Sequence, residues 1–346
     1  MLTRRRPRGG LVRQHAGLPL MRIGVFLAAA VVLPSAPRAQ DAKPHTSPQK
    51  SADMLDKLLH WLPADTETII VRNGPFENEP RRSAGGTSKG AGAVDPAAGD
   101  ESIRRKTTLV LDGSRRFRAP HGFGPMPFEG CEICVVEESA APALTAGMEA
   151  IRKARKTMTL SGRQVAVFSE KIEQDTWTFY VAQPRPNVYL WATHEGYLGT
   201  VLSRVQKQPS TRAMPRDLPE WKYVDMTGPI WAVRHYSKDH ARKDPSSPLR
   251  GASADSAMTV PDPAAIGLVF CGDPAARRAT VWYLSAAKDA LAIAEKRWSP
   301  IGQQLKLKID EVRPGVIRTT IAVGDDDLWH TFMFSLYFQL GPGAWV

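Results

Sequence analysis

The first forty residues contain no aspartate or glutamate, although they hold seven arginines. An acid-free basic stretch followed by a short apolar core is the pattern of an export signal. The chain also lacks a long hydrophobic run. Residues 23–33 (IGVFLAAAVVL) would cross only about half of a bilayer core, because a spanning helix needs roughly twenty residues, so no stable transmembrane anchor is expected. Cysteine is scarce: Cys131, Cys134 and Cys271 are too few, and odd in number, to form a disulfide framework. No G-x-G-x-x-G and no Walker-type loop is present, which removes the usual dinucleotide and nucleotide sites, and no cofactor is expected.

The leader ends in an alanine-containing stretch before Gln40-Asp41-Ala42-Lys43. Cleavage is expected near Ala39, although Pro37 stands where an A-x-A pattern calls for a small residue. Met21 directly precedes Arg22 and the apolar core, so a start at Met21 would give a signal of ordinary length. The twin Arg4-Arg5 sits far from the core and Pro7 replaces the usual apolar residue, which favours the general secretory route. The expected location is periplasmic or extracellular. Without residues 1–40, the 46 basic and 35 acidic residues become 39 against 35, and the net charge falls from +11 to +4. No basic cluster remains that would displace counterions from a phosphate backbone, which argues against nucleic acid as a partner.

Residues 41–52 read as a polar lead-in, and Met54, Leu55, Leu58 and Leu59 announce a short helix. Strands are predicted at 68–72, 107–111 and 131–136, and a helix at 143–156 after Pro142. A meander follows at 164–169, 176–182 and 188–193, closed by a helix at 195–205. The second half has a similar grammar: strands at 229–235, 265–271 and 279–285, a helix at 287–298, then strands at 305–309 and 316–323. The last segment, 330–340, alternates Phe332, Phe334, Leu336, Phe338 and Leu340 with more polar residues, the clearest strand pattern in the chain. Polar insertions occupy 73–106 and 237–263.

Short connections and a majority of strands favour an α+β fold, mainly antiparallel sheets with helices on one face, in two loosely similar halves of 53–210 and 211–346. An outer-membrane barrel would need many segments of about ten alternating residues, and the helices and insertions count against it.

Several letter patterns suggest chemistry and are better explained otherwise. Cys131-Glu132-Ile133-Cys134 spells C-x-x-C, yet it lies in a predicted strand, where residues three apart face opposite sides. Gly86-Thr87-Ser88-Lys89-Gly90 matches G-x-S-x-G inside a loop with neither the strand nor the helix that a nucleophile elbow requires. Asp325-Asp326-Asp327 with His330 offers cation ligands, but a charged hairpin turn after Gly324 explains it, and no metal is expected. In Trp231-Ala232-Val233-Arg234-His235-Tyr236, alternation leaves a basic residue among apolar ones on whichever face is buried. Arg234 and His235 are therefore the candidate ligand contacts, weighed against a salt-bridged arginine and a satisfied core histidine.

The stretches Leu62-Pro63-Ala64-Asp65-Thr66, Trp191-Ala192-Thr193-His194-Glu195-Gly196-Tyr197-Leu198 and Trp231-Ala232-Val233-Arg234-His235-Tyr236 resemble uncharacterised exported bacterial proteins. The resemblance implies export and an α+β fold and lends no activity. The expected function is a non-catalytic binding or interaction protein of the cell envelope, with an unknown protein or small ligand as partner. The alternative is an envelope or extracellular hydrolase whose acid and base lie far apart in sequence, since distant carboxylates leave no spacing signal.

Overall fold

Runs of β-branched and aromatic residues lay most of the chain out as extended backbone. A computed structural model describes residues 48–74, 103, 105–116, 128–172, 175–236, 264–302, 305–326, 328–329 and 332–333. Among them are twelve strands: β1 (Thr68–Asn73), β2 (Thr107–Arg116), β3 (Phe128–Val136), β4 (Lys156–Leu160), β5 (Arg163–Ile172), β6 (Asp175–Arg185), β7 (Val188–Ala192), β8 (Ile230–His235), β9 (Ala265–Asp273), β10 (Arg278–Ser285), β11 (Lys306–Arg313) and β12 (Val316–Ala322). Helices α1 (Pro48–Trp61), α2 (Ala141–Ala154), α3 (Glu195–Lys207) and α4 (Ala290–Gly302) accompany them. The strands form one antiparallel sheet in the order β11-β12-β10-β9-β8-β1-β2-β3-β7-β6-β5-β4, so the α+β class with antiparallel pairing is what the chain adopts.

The two expected halves meet at the centre of this sheet, where β1 pairs with β8. Outward from that seam each half runs through three consecutive strands, leaves by a helix (α2 or α4), and returns a later strand (β7 or β12) beside its third. The first half adds the hairpin β4-β5 at its edge. Ile70 pairs with Ala232, and a dyad through that pair superposes Val71-Arg72-Asn73 on Val233-Arg234-His235.

The helices divide two to a face instead of gathering on one. The reason lies in strands whose two side-chain registers are both apolar, such as Ile69-Ile70-Val71 and Leu109-Val110-Leu111, so that each face needs a cover. On one face, Leu58 of α1 and Tyr197, Leu198 and Val201 of α3 pack over Ile69, Val71, Ile133, Leu190, Trp231 and Val233. On the other, Leu144 and Met148 of α2 cover Cys134, Phe168 and Val181, while Ala290 and Ala294 of α4 cover Tyr283 and Ile317.

Three expectations need correction. Helix α1 begins at Pro48, inside the supposed lead-in. The edge strand β4 (KTMTL), whose half-buried stripe is only Met158 and Leu160, was not expected. Phe332 and Met333, read as part of a final strand over 330–340, are helical and buried, as is Trp329 just before it. Asp325 explains this: its Oδ1 accepts the amide of Leu328 at 2.9 Å and its carbonyl accepts that of Trp329 at 3.0 Å, so the acidic run starts a helix where a hairpin turn was expected. Residues 1–47, most of both insertions (75–102, 104 and 237–263) and 334–346, with the expected signal and Ser88, lie outside the described residues.

Candidate functional site

Arg234 and His235 are neighbours on β8 and therefore project from opposite faces of the sheet. Arg234 is buried, its guanidinium 4.9 Å from the ring centroid of Tyr236. His235 Nδ1 donates to Oε1 of Glu220 at 2.7 Å. Glu220 is fully buried in a 3-10 turn, Pro219–Tyr223, and a Cβ on Gly267 would overlap its carboxylate, so glycine at that point of β9 makes room for the pair. The two residues point to opposite faces, and His235, its side chain 33% exposed, is paired with a buried carboxylate.

A second charged group lies on the Arg234 face and was not singled out from the sequence. Arg72 donates through Nη2 to Glu132 Oε2 at 3.1 Å and stands 3.8 Å from Asp112 Oδ2. All three residues are buried. Strand register explains the meeting, because Asp112 pairs with Glu132 across β2 and β3, and Ile70, two residues from Arg72, pairs with Asp112. The available signal was a charge within or beside each of three apolar runs, Arg72, Asp112 and Glu132. These two carboxylates converge as a hydrolase would need, but a guanidinium ties them together.

Cys134 Sγ donates to Glu132 Oε1 at 3.1 Å, while Cys131 enters the core of the opposite face, so no disulfide joins them. Burial, then the charges of Glu132 and Asp112, pushes the Cys131 thiol well above the ordinary thiol range, which suits packing and not redox chemistry.

Two of the stretches that carry the family resemblance meet beside α3. Arg115 Nη1 reaches both carboxylate oxygens of Asp65 at 2.6 and 2.7 Å, and its Nε donates to Glu129 at 2.5 Å. The same guanidinium lies 5.3 Å over the ring of Tyr197, whose hydroxyl is 3.0 Å from that of Thr66. The group clamps the start of α3 to the turn that enters β1, a structural task.

A concave surface among the described residues lies elsewhere, between α1 and residues 208–226. Two adjoining cavities of about 560 and 580 Å³ share Arg212 and Arg216. The first is floored by Leu55, Leu59, Trp221 and Met226; the second is lined by His60, Ser210, Thr211 and Pro215. Arg212 Nη1 donates to Asp56 Oδ1 at 2.5 Å and Arg216 Nη2 to Asp56 Oδ2 at 2.7 Å. Burial opposes ionisation of Asp56, but the bond from Arg216 and the charges of both arginines outweigh it and hold the carboxyl below its ordinary value. Arg204 of α3 braces the far wall, donating to the carbonyls of His60 and Thr211 at 3.1 and 2.5 Å. No sequence signal marked this groove, because its charged residues sit in a polar loop.

Among the described residues, no cluster of three or more His, Cys, Asp or Glu is arranged to hold a metal. Asp326 pairs with Arg277, and Asp327 and His330 lie outside the described residues. In crystal form I, the protein TP0453 resembles this chain with a TM-score of 0.44 at 13% identity, over 82% of this chain and 97% of that one. Crystal form III gives 0.40 at 13% identity, over 79% and 96%. No protein-family model and no curated protein matches the chain, in keeping with a resemblance that lends no activity.

Proposed function

We propose that this chain is an exported, non-catalytic binding protein of the cell envelope, with the groove between α1 and residues 208–226 as the seat of its ligand or partner. The observation that carries the reading is a contrast. The charged pairs within the sheet, Arg72 with Glu132 and Glu220 with His235, are committed to one another, whereas the groove leaves Met226 42% exposed beside Trp221 and two arginines. Each of its two lobes, about 560 and 580 Å³, falls in the range of about 300–1,000 Å³ usual for ligand sites. The acid-free leader supports export.

The hydrolase reading draws on the Glu220–His235 pair, in which a carboxylate orients an imidazole, but among the described residues no nucleophile is hydrogen-bonded to His235. The test is a pull-down from the envelope fraction with the chain from Gln40 onward, paired with a thermal-shift screen of metals and sugars. A partner or ligand held by the parent chain and lost in Met226→Asp is the expected result. Binding indifferent to that change, or turnover of an envelope polymer abolished by His235→Gln, overturns the proposal.

A further inference from the structure

We propose that the groove receives an organic monocarboxylate with a bulky apolar body, its carboxylate bound by Arg216 beside Arg212; this rests on the reading of the groove as a ligand seat. The two lobes differ in chemistry and share both arginines, so one occupant spanning them is apolar at one end and polar at the other. Leu55, Leu59, Trp221 and Met226 suit the apolar end.

The two guanidiniums have different duties. Arg212 donates from Nε to the carbonyls of Ala213 and Met214 at 3.3 and 3.1 Å, bonds Asp56, and lies 5.1 Å over the ring of Trp221. It is a fixed wall. The Arg216 side chain lines both lobes, is 73% exposed and gives one Nη2 contact to Asp56, and a guanidinium carries five N–H donors in a planar fork, so most of its donors are open to solvent at the groove.

Charge sets the ligand class. Two arginines against Asp56 leave one positive charge over, and Lys57 and Asp53 on the rim cancel. One monoanion balances the seat, whereas a phosphate dianion exceeds it. Geometry agrees, because the fork matches a planar carboxylate and the seat already accommodates one, that of Asp56, between the same two arginines.

Titration calorimetry at neutral pH and low salt, with the chain from Gln40 onward, tests this with 3-phenylpropanoate, its neutral amide and inorganic phosphate. The carboxylate is expected to bind at about millimolar Kd or tighter, and the amide and phosphate roughly tenfold or more weaker, the scale of one charge-assisted hydrogen bond. Arg216→Gln, a change at an exposed side chain that lowers the melting midpoint no further than Asp56→Asn does and keeps a cooperative melting curve, is expected to bring the same loss. No binding of 3-phenylpropanoate, equal binding of the amide or of phosphate, or an unchanged Arg216→Gln overturns the proposal. If carboxylates fail while Met226→Asp still abolishes partner capture, the ligand class is wrong and the seat stands. If Met226→Asp leaves capture intact, the seat itself is wrong.

Discussion

Arg72, Asp112 and Glu132 come from three neighbouring strands, and each is more than nine-tenths buried. Ions in such a place lose their hydration and are tolerated only while opposite charges and hydrogen bonds replace it. Arg72→Met removes the cation and strands two carboxylates, and the expected loss is about 3–5 kcal/mol in urea unfolding. A loss below about 1 kcal/mol would show that water reaches the acids. Gly267 makes a second test at this scale. Its hydrogen is all that fits against the Glu220 carboxylate, so Gly267→Ala forces Glu220 away from His235. The expected cost is about 1–3 kcal/mol, the usual range for overpacking, together with a shift of the His235 imidazole resonances. An unchanged imidazole spectrum would mean that the backbone yields instead. Each of these residues was visible as a charge or a glycine in an apolar strand, but their partners lie on other strands, and only strand register states which ones.

Helix α1 is joined to the groove by electrostatics as well as by packing. Asp56 sits on its solvent side between Arg212 and Arg216, while Leu58, Leu59 and Leu55 turn toward the core. Because the arginines hold the Asp56 carboxyl below the ordinary value of about 4, its contribution to stability is present above that value and lost as pH falls through the lower folded one. Asp56→Asn is therefore expected to melt below the parent chain at neutral pH, with the gap closing below about pH 4. A gap of constant size down to pH 3 would assign the contact to packing alone. At this scale the sequence was most legible. Nearly every strand and helix with one apolar face was expected within a few residues of its place, because alternation and 3.6-residue spacing are local properties. Both failures have physical causes. The edge strand β4 is short and its apolar stripe is only Met158 and Leu160, and the pattern of Trp329, Phe332 and Met333 also fits a helix once Asp325 caps its start. The groove stayed illegible because α1 and the loop opposite it are separated by most of the first half.

The whole molecule is two units of similar strand order joined along β1 and β8, and their register shows where they differ. The dyad that superposes Arg72 on Arg234 places Asp112 on Phe270 and Glu132 on Val281, through the pairings of β1 with β2, β8 with β9, β2 with β3 and β9 with β10. Arg72 thus has acids at two positions whose counterparts beside Arg234 are apolar, and Arg234 lies over Tyr236. Two similar halves in a chain of this length would ordinarily suggest two domains that unfold separately. The seam argues otherwise. Ile69 and Val71 from one half share a single core with Trp231, Val233 and Val269 from the other, under helices that both belong to the first half. The second unit loses the cover of its inner face if the first leaves, and the first loses the contacts of Trp231, Val233 and Val269. Scanning calorimetry is accordingly expected to show one transition with equal calorimetric and van't Hoff enthalpies. Val71→Ala at the seam, which removes two buried methyl groups, is expected to lower the midpoint without splitting the peak. Two resolved transitions in the parent chain, or a second peak appearing in that variant, would show that each half holds its own core, and that β1 and β8 join two domains instead of closing one.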